Sequence, residues 1–216
     1  MTLDLELVRK YSPYLFFDKR EPFFPKWIGV TILGNNEESP SFHRKFVFEE
    51  SVDFVIEYAI YWDFDIQHMY DLEHVWVYVG HSGEVVNCEA SFHGRFVRGL
   101  LFDQSNLLDS THVKLYSQPG KHAFLPKEDM FQVIPNVMTC TNEYAGQDGL
   151  IVTDPFKGLY ETDESTNKRT KEYLKRFRFV PSLEFFQWSI PTEQFMVWSE
   201  LKDKIVERIE TLKKEV

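Results

Sequence analysis

The chain has 216 residues, with 34 acidic and 24 basic side chains, two cysteines and a formal charge of −10. Hydrophobic residues make up 43% and charged residues 27% of it, which are values of a folded globular protein and exclude disordered and fibrous classes. Because nucleic-acid phosphates are bound by clustered Lys and Arg, the acidic balance argues against nucleic acid as a partner.

The chain shows no pattern of an export signal or a membrane span. Asp4 and Glu6 interrupt the N-terminal apolar stretch, and no run approaches the roughly 18 apolar residues of a transmembrane helix. Cys88 and Cys140 are therefore expected to be free thiols rather than a disulfide. These features predict a cytoplasmic protein without a signal peptide or transmembrane segment, and they leave the oligomeric state open.

Alternating, β-branched and aromatic segments dominate most of the chain and predict strands. We expect these strands at 14–18, 53–62, 72–79, 84–92, 113–117, 131–134 and 150–153. A short helix at 2–10, capped by Thr2, and a second helix from 163 to about 177 are also expected. The pattern predicts a mainly β (α+β) fold, an antiparallel β-sandwich with peripheral helices. We expect a single domain, 1–216, with its sandwich core at about 11–160 and a helical part at about 163–216.

The segment from Thr192 onward has the three- and four-residue spacing of an amphipathic helix. Its apolar positions are Phe195, Trp198, Leu201, Ile205, Ile209 and Leu212. Such a stripe either docks on the protein's own sheet or binds a partner. We expect docking, and a protein-interaction module that uses this C-terminal helix is an alternative function.

Carboxylates and imidazoles are concentrated at one junction between two predicted strands. Six of the seven histidines lie between positions 68 and 122, and residues 61–74 contain four carboxylates and two imidazoles. Because side chains alternate along a strand, Asp71 and Glu73 are expected on one face, followed there by valines. Two neighbouring acids at the end of an apolar face repel each other, so they require a cation or a proton between them.

The hairpin that follows this junction decides which residues face the two acids. A three-residue loop within 79–84 would set Glu73 opposite Ser91 and Asp71 opposite His93. A four-residue loop would instead place apolar residues there and send the histidine elsewhere. We prefer the first register because it gathers polar groups at one end of the strands.

A mixed set of His and carboxylate side chains suits a divalent cation. Nitrogen and oxygen ligands together admit Zn, Mn or Fe, whereas an oxygen-dominated shell with waters admits Mg or Ca. No complete zinc-protease motif occurs. The calcium-loop motif is also incomplete, because His68 stands where that loop needs Gly. The residues therefore predict a divalent cation, such as Mg, Ca or Zn, without fixing which one.

His68-x-x-Asp71-x-Glu73 resembles the Gly-His-Arg-His-Asp-Trp-Glu signature of the necrosis-inducing toxin family, and more broadly the proteins grouped with vacuolar protein sorting-associated protein 62. The second His and the Trp of that signature are Tyr70 and Leu72 here. Three further segments are similar to the second group: Tyr11-x-Pro13 with Phe17-Asp18-x-x-Glu21 and Pro25, then Ser91-Phe92-His93-Gly94, then Tyr116–Ala123.

This resemblance implies a single-domain β-sandwich with peripheral helices and a divalent cation in an acidic cavity. The signature residues that surround the cation map onto His68, Asp71 and Glu73. A further upstream Asp contributes in the family, and either Asp63 or Asp65 matches it.

Two functions of the cavity fit these observations. In the first, a divalent-cation site binds a small polar ligand, either a sugar or a phosphorylated headgroup, with Asp63, Asp65, His93 and His122 binding the ligand or supporting the metal. In the alternative, a metal-dependent hydrolase uses the same cavity, and the ion lowers the pKa of a bound water. No Gly-x-Ser-x-Gly elbow occurs, and the sequence leaves open whether the protein is an enzyme.

Overall fold

A computed structural model describes residues 3–216 of the chain. Two packed β-sheets form most of this structure. The strands are β1 (Tyr14–Asp18), β2 (Trp27–Leu33), β3 (Val52–Phe64), β4 (His68–Gly80), β5 (Val85–Phe92), β6 (Arg95–Arg98), β7 (Leu107–Leu108), β8 (His112–Ser117), β9 (Phe124–Leu125), β10 (Gly149–Leu150), β11 (Phe185–Trp188) and β12 (Phe195–Val197). The α-helices are α1 (Leu5–Tyr11), α2 (Val137–Thr141), α3 (Glu164–Leu174) and α4 (Trp198–Glu215). Short 3₁₀ helices span Glu128–Val133, Asp154–Phe156, Lys175–Phe177 and Thr192–Gln194.

The topology of the two sheets is mixed. One sheet has the order β11-β1-β8-β7, with β9 also paired to β8, and the other has the order β12-β2-β3-β4-β5-β6, with β10 also paired to β4. Most pairs are antiparallel, but β1 with β8, β10 with β4 and β12 with β2 are parallel. The predicted mainly β sandwich with peripheral helices is confirmed, with mixed rather than wholly antiparallel sheets.

The inner faces of the two sheets form the main apolar core. Strand β4 contributes Val75, Val77 and Val79 to it, all buried. The alternate residues Trp76 and Tyr78 belong to a separate cluster on the other face of the same sheet. The alternation predicted for this strand is therefore confirmed, and each fully buried side chain of this kind stabilises the fold by about 1.5–3 kcal/mol.

Helix α4 packs on the face of the larger sheet that points away from the sandwich core. Its stripe, Trp198, Leu201, Ile205, Ile209 and Leu212, is buried. Gly29 of β2 permits the close approach, since a Cβ there would lie 2.8 Å from Leu201 Cδ2. The docking expectation is confirmed, and the stripe is not free to bind a partner. Neither α4 nor any other helix within residues 3–216 is long and apolar enough to cross a membrane.

The C-terminal part of the chain also supplies strands that the periodicity did not show. Strand β11 pairs antiparallel with β1, and β12 pairs in parallel with β2. Phe195 therefore lies in the sandwich core rather than in the helical stripe, and α4 begins at Trp198 rather than at Thr192. The sheets thus extend past the core range predicted at 11–160.

Three further predicted elements differ from the structure. Residues 131–134 do not form a strand, because Phe131 is buried in the 3₁₀ helix Glu128–Val133 and so short an apolar run has no readable period. The strand predicted at 150–153 is the two-residue β10, since a 3₁₀ turn begins at Asp154. Helix α1 is capped by Asp4, and the predicted cap Thr2 lies outside the described residues.

Candidate functional site

A cavity of about 440 Å³ opens where β4 begins. Strand β4 contributes His68, Asp71 and Glu73 to its wall, and the turn after β8 contributes Lys121. Loops at 41–43, 93–94 and 151–155 complete the lining. The strand junction that the sequence singles out is therefore one wall of a cavity.

A larger cavity, of about 660 Å³, lies between α1 and β11 and is lined in part by Arg9, Tyr14, His112 and Trp188. None of the acids clustered at the strand junction lines it. We therefore place the candidate site in the smaller cavity, where the buried charges converge.

Asp71 and Glu73 occupy the end of the inner face of β4, beyond the valines of the core. They are only 8% and 7% exposed. Ser91 Oγ donates a hydrogen bond to Glu73 Oε2. Burial and the neighbouring charge of Asp71 raise the pKa of Glu73 from its ordinary 4.5 to about 8, against the effect of the Ser91 hydrogen bond. At pH 7 Glu73 therefore keeps its proton, which relieves the repulsion between the two neighbouring acids.

The hairpin register explains why Ser91 reaches Glu73. The predicted three-residue loop is confirmed: Gly80 N donates to Glu84 O at 2.9 Å, and Gly83 has φ +79°. A bulge at the Tyr78/Val79 step then shifts the pairing by one residue, so the predicted opposite positions are wrong. Ser91 still contacts the acid because its hydroxyl lies between the two strands, where it also accepts from His74 N at 2.6 Å.

The same shift moves His93 away from the two acids. Its Nε2 lies 2.8 Å from Gln118 Oε1, and the residue follows the end of β5 with φ +51°. His93 lines the cavity but does not stand beside Asp71 and Glu73 as the predicted register required.

Asp65 lies at the base of the cavity and is 1% exposed. Its Oδ2 contacts Lys121 Nζ and lies 3.0 Å from His68 Nε2, while its Oδ1 accepts from the backbone N of Gln67 and His68. Burial opposes ionisation, but the charges of His68 and Lys121 hold the pKa of Asp65 well below its usual range. Asp65, and not Asp63, therefore lines the cavity.

Each ring nitrogen of His68 lies next to an oxygen atom of the protein. Its Nδ1 lies 2.8 Å from Tyr70 O, and its Nε2 faces the Asp65 carboxylate. Both ring nitrogens of His68 therefore have oxygen partners within the protein.

His122 is fully buried behind the cavity wall. Its Nδ1 lies 2.8 Å from Asp71 Oδ2, its Nε2 lies 3.4 Å from Glu21 Oε1, and its ring stacks on Trp62 with centroids 4.5 Å apart. Burial lowers its pKa, but the hydrogen bonds to Asp71 and Glu21 outweigh burial and raise the pKa to about 10. His122 therefore stands as a cation between two buried carboxylates.

Asp63 does not reach the cavity. Its carboxylate pairs with Lys26 Nζ at 3.2 Å and with Arg208 Nη2 at 2.8 Å, and it accepts from Tyr61 Oη at 3.1 Å. It ties β3 to helix α4 and does not line the cavity in which a ligand was predicted.

Strained backbone occurs at three residues that line the cavity and at one behind its wall. His43, Tyr70, His93 and His122 all have φ between +51° and +73°. Such a conformation is an outlier for a bulky residue such as Tyr70 and is found mainly where the surroundings enforce it, often at binding sites.

Two parts of the cavity were not predicted from the sequence. Lys121 received no role, although it stands next to His122 in the Gly120-Lys121-His122 turn that the resemblance already singled out. The loop at 41–43 is held by Ser41, whose Oγ donates to the buried Glu57 at 2.6 Å and accepts from His74 Nε2 at 2.9 Å. No local pattern could have shown that long-range contact.

The residues fit a divalent cation poorly as they are arranged. Within residues 3–216 no group of three or more His, Cys, Asp or Glu side chains converges in a metal-binding arrangement. Asp65 already holds the Lys121 ammonium, and Asp71 holds the His122 imidazole. The cation predicted at His68, Asp71 and Glu73, and the hydrolase that would depend on it, stay predictions.

Replacing Glu73 by Gln is expected to change how stability depends on pH. Because the pKa of Glu73 is about 8 in the folded state and 4.5 ordinarily, the folded state holds a proton that the unfolded chain lacks, and the free energy of unfolding falls as the pH rises between these values. The variant lacks this fall, so relative to wild type it gains about 3–4 kcal/mol between pH 5 and pH 8. Urea unfolding at both pH values measures the difference, with exposed Glu200→Gln as control. Parallel pH profiles for wild type and Glu73→Gln would contradict the raised pKa.

Comparisons with known proteins assign neither a family nor a function to this cavity. A scan against protein-family models and a search of curated proteins found no match. Among solved structures, the chain is similar to "NLPPya in complex with glucosamine", a necrosis and ethylene-inducing peptide 1-like protein, at 22% identity and a TM-score of 0.38. The alignment covers 55% of this chain and 64% of that one, which is less than two thirds of its length. We draw no conclusion about function from a likeness of this size.

Proposed function

We propose that the cavity at the start of β4 binds a small, uncharged ligand rich in hydroxyl groups, such as a sugar or a cyclic polyol. The observation that carries this proposal is the pairing of buried acceptors with a buried donor in one cavity: Asp71 and Glu73 on β4, and Lys121 on the turn after β8. A hydroxyl group both donates and accepts hydrogen bonds, so one ligand can satisfy both kinds of partner. A volume of about 440 Å³ suits a mono- or disaccharide.

The charge of the cavity favours a sugar over a phosphorylated headgroup. Its lining carries Asp65, Asp71, Asp154 and the protonated Glu73 against the ammonium of Lys121, whose contact with Asp65 already uses part of its charge. A phosphate would bring further negative charge beside buried acids, and like charges at short range repel strongly in a low-dielectric site. A neutral ligand avoids this repulsion.

Binding is expected to be weak for single sugars and to depend on both acids. At about 0.3 kcal/mol per non-hydrogen atom, a hexose of roughly twelve such atoms binds with a Kd in the millimolar range. Asp71→Asn and Glu73→Gln each change a hydrogen-bonding group of the acid pair, and each is expected to weaken binding about tenfold. Saturation-transfer NMR and calorimetry with glucose, galactose and myo-inositol measure these affinities.

Glu172→Gln is the matched control, because it makes the same change at an exposed carboxylate on α3 and should leave binding unchanged. Glucose 6-phosphate should bind more weakly than glucose. Tighter binding of the phosphate, or sugar affinities that are equal in wild type and both cavity variants, would refute the proposal.

A further inference from the structure

One short turn brings two basic side chains to the cavity, one into its lining and one behind its wall. The turn joins β8 to β9 and is closed by Gln118 N donating to Ala123 O at 2.8 Å and by His122 N donating to Gln118 O at 2.9 Å. Gly120 sits at its tip with φ +68°, where a Cβ would lie 2.9 Å from Ile66 and Thr141 side-chain atoms. This tight packing fixes the direction of the two residues that follow, Lys121 and His122.

Each of the two cations has a carboxylate of the cavity as its partner. The Lys121 side chain is 11% exposed and its Nζ contacts Asp65 Oδ2, while the fully buried His122 contacts Asp71 Oδ2 at 2.8 Å. Glu21 fixes the turn from behind, because its Oε2 accepts from Gly120 N at 2.7 Å and its Oε1 faces His122 Nε2. The turn is therefore a built structure rather than a pair of mobile surface side chains.

A divalent cation at these carboxylates would find their oxygens already occupied and would be repelled by the positive charge beside them. Hard cations bind through carboxylate oxygens that are free to coordinate, and both Asp65 oxygens already have partners. An ion at Asp65 would also lie close to the ammonium, and like charges at such distances repel strongly when little water lies between them.

We propose that the Lys121 ammonium, held against Asp65, takes the place of a divalent cation in this cavity, with His122 bonded to Asp71 behind the wall, and that the cavity binds its ligand without a metal. The assignment rests on the proposed function for the cavity being a binding site. The test of this proposal measures the protein without any sugar. The metal-free proposal can therefore fail while sugar binding is confirmed, and sugar binding can fail while the metal-free proposal is confirmed.

The test removes the ammonium and asks whether a metal can take its place. Wild type, Lys121→Met and Lys121→Arg are dialysed against calcium, magnesium, manganese or zinc chloride, and metal content is measured by elemental analysis. Thermal midpoints are recorded with each salt and with EDTA. Lys175→Met, which breaks an exposed pair between Glu172 of α3 and Lys175 just after that helix, is the matched control.

We expect wild type and Lys121→Arg to hold no stoichiometric metal and to melt at the same temperature with and without EDTA. Lys121→Met should melt about 5–10 °C lower, because a buried carboxylate loses its partner, and a divalent salt should restore part of that loss. Stoichiometric metal in wild type with a midpoint that falls in EDTA would overturn the proposal. So would a folded Lys121→Met that gains nothing from any of the four salts. If Lys121→Met does not fold, wild type and Lys121→Arg still decide the question through their metal content and their response to EDTA.

Discussion

Replacing His122 by Gln is expected to lower the free energy of unfolding by about 3–5 kcal/mol. The imidazole is fully buried between Asp71 and Glu21, at 2.8 Å and 3.4 Å. Gln can replace one donor but not the positive charge, so two buried carboxylates would lose their shared counter-charge. Urea unfolding at pH 7, followed by tryptophan fluorescence, measures the loss. Adding Glu21→Gln to the variant should recover part of it, because one of the two orphaned charges is then gone.

The pH profile separates the charge of His122 from its packing. Because its pKa is about 10 in the folded state and 6.5 ordinarily, its stabilising effect is complete below pH 6.5 and is lost as the pH rises through 10. Wild type should show this loss and His122→Gln should not. His81→Gln, at an exposed His near Asp53, should retain the wild-type profile. A loss under about 1 kcal/mol at pH 7, the size expected of an exposed ion pair, would contradict a buried cation.

Substitutions in the contact between α4 and the sheet are expected to have the second large effect on the free energy of unfolding. Leu201 is fully buried, and Leu201→Ala should lower the free energy of unfolding by about 3 kcal/mol, because a cavity would remain beside β2. Gly29→Ala should cost about 1–3 kcal/mol, since its new Cβ would lie 2.8 Å from Leu201 Cδ2.

The double variant distinguishes this contact from general damage to the fold. With Leu201 shortened, the Cβ at position 29 no longer meets Cδ2, so Gly29→Ala with Leu201→Ala should cost less than the sum of the single changes. Ile32→Ala, at a half-exposed site on the same strand, is the control and should have a small effect. Strict additivity of the two changes would mean that the helix does not pack on Gly29.

The parts of the site that could be predicted are those that depend on local periodicity. Alternation along β4 places Asp71 and Glu73 on the face shared with the core valines, and the glycine at position 83 predicts the three-residue loop. The contact between Glu73 and Ser91 followed from that loop, although the register was one residue off. A bulge at Tyr78/Val79 depends on packing across the sheet, which the strand sequence does not display.

The remaining contacts join residues far apart in the chain. Glu21 and Gly120 are 99 positions apart, and Lys121 and Asp65 are 56 apart, so neither contact leaves a local pattern. The choice between Asp63 and Asp65 depended on where β3 ends. It ends at Phe64, so Asp63 lies within the strand and faces α4, whereas Asp65 lies in the turn and faces the cavity.

Hydroxyl-rich ligands should bind where the buried acids and Lys121 meet, and an NMR titration tests this most directly. Glucose and myo-inositol are added to the ¹⁵N-labelled protein, and amide shifts are followed residue by residue. We predict saturable shifts at Asp71, Glu73, Ser91 and Lys121 that are weakened in Glu73→Gln and unchanged by EDTA. Shifts confined to the larger cavity around Arg9 and His112, or none at saturating sugar, would contradict the assignment of this cavity as the binding site.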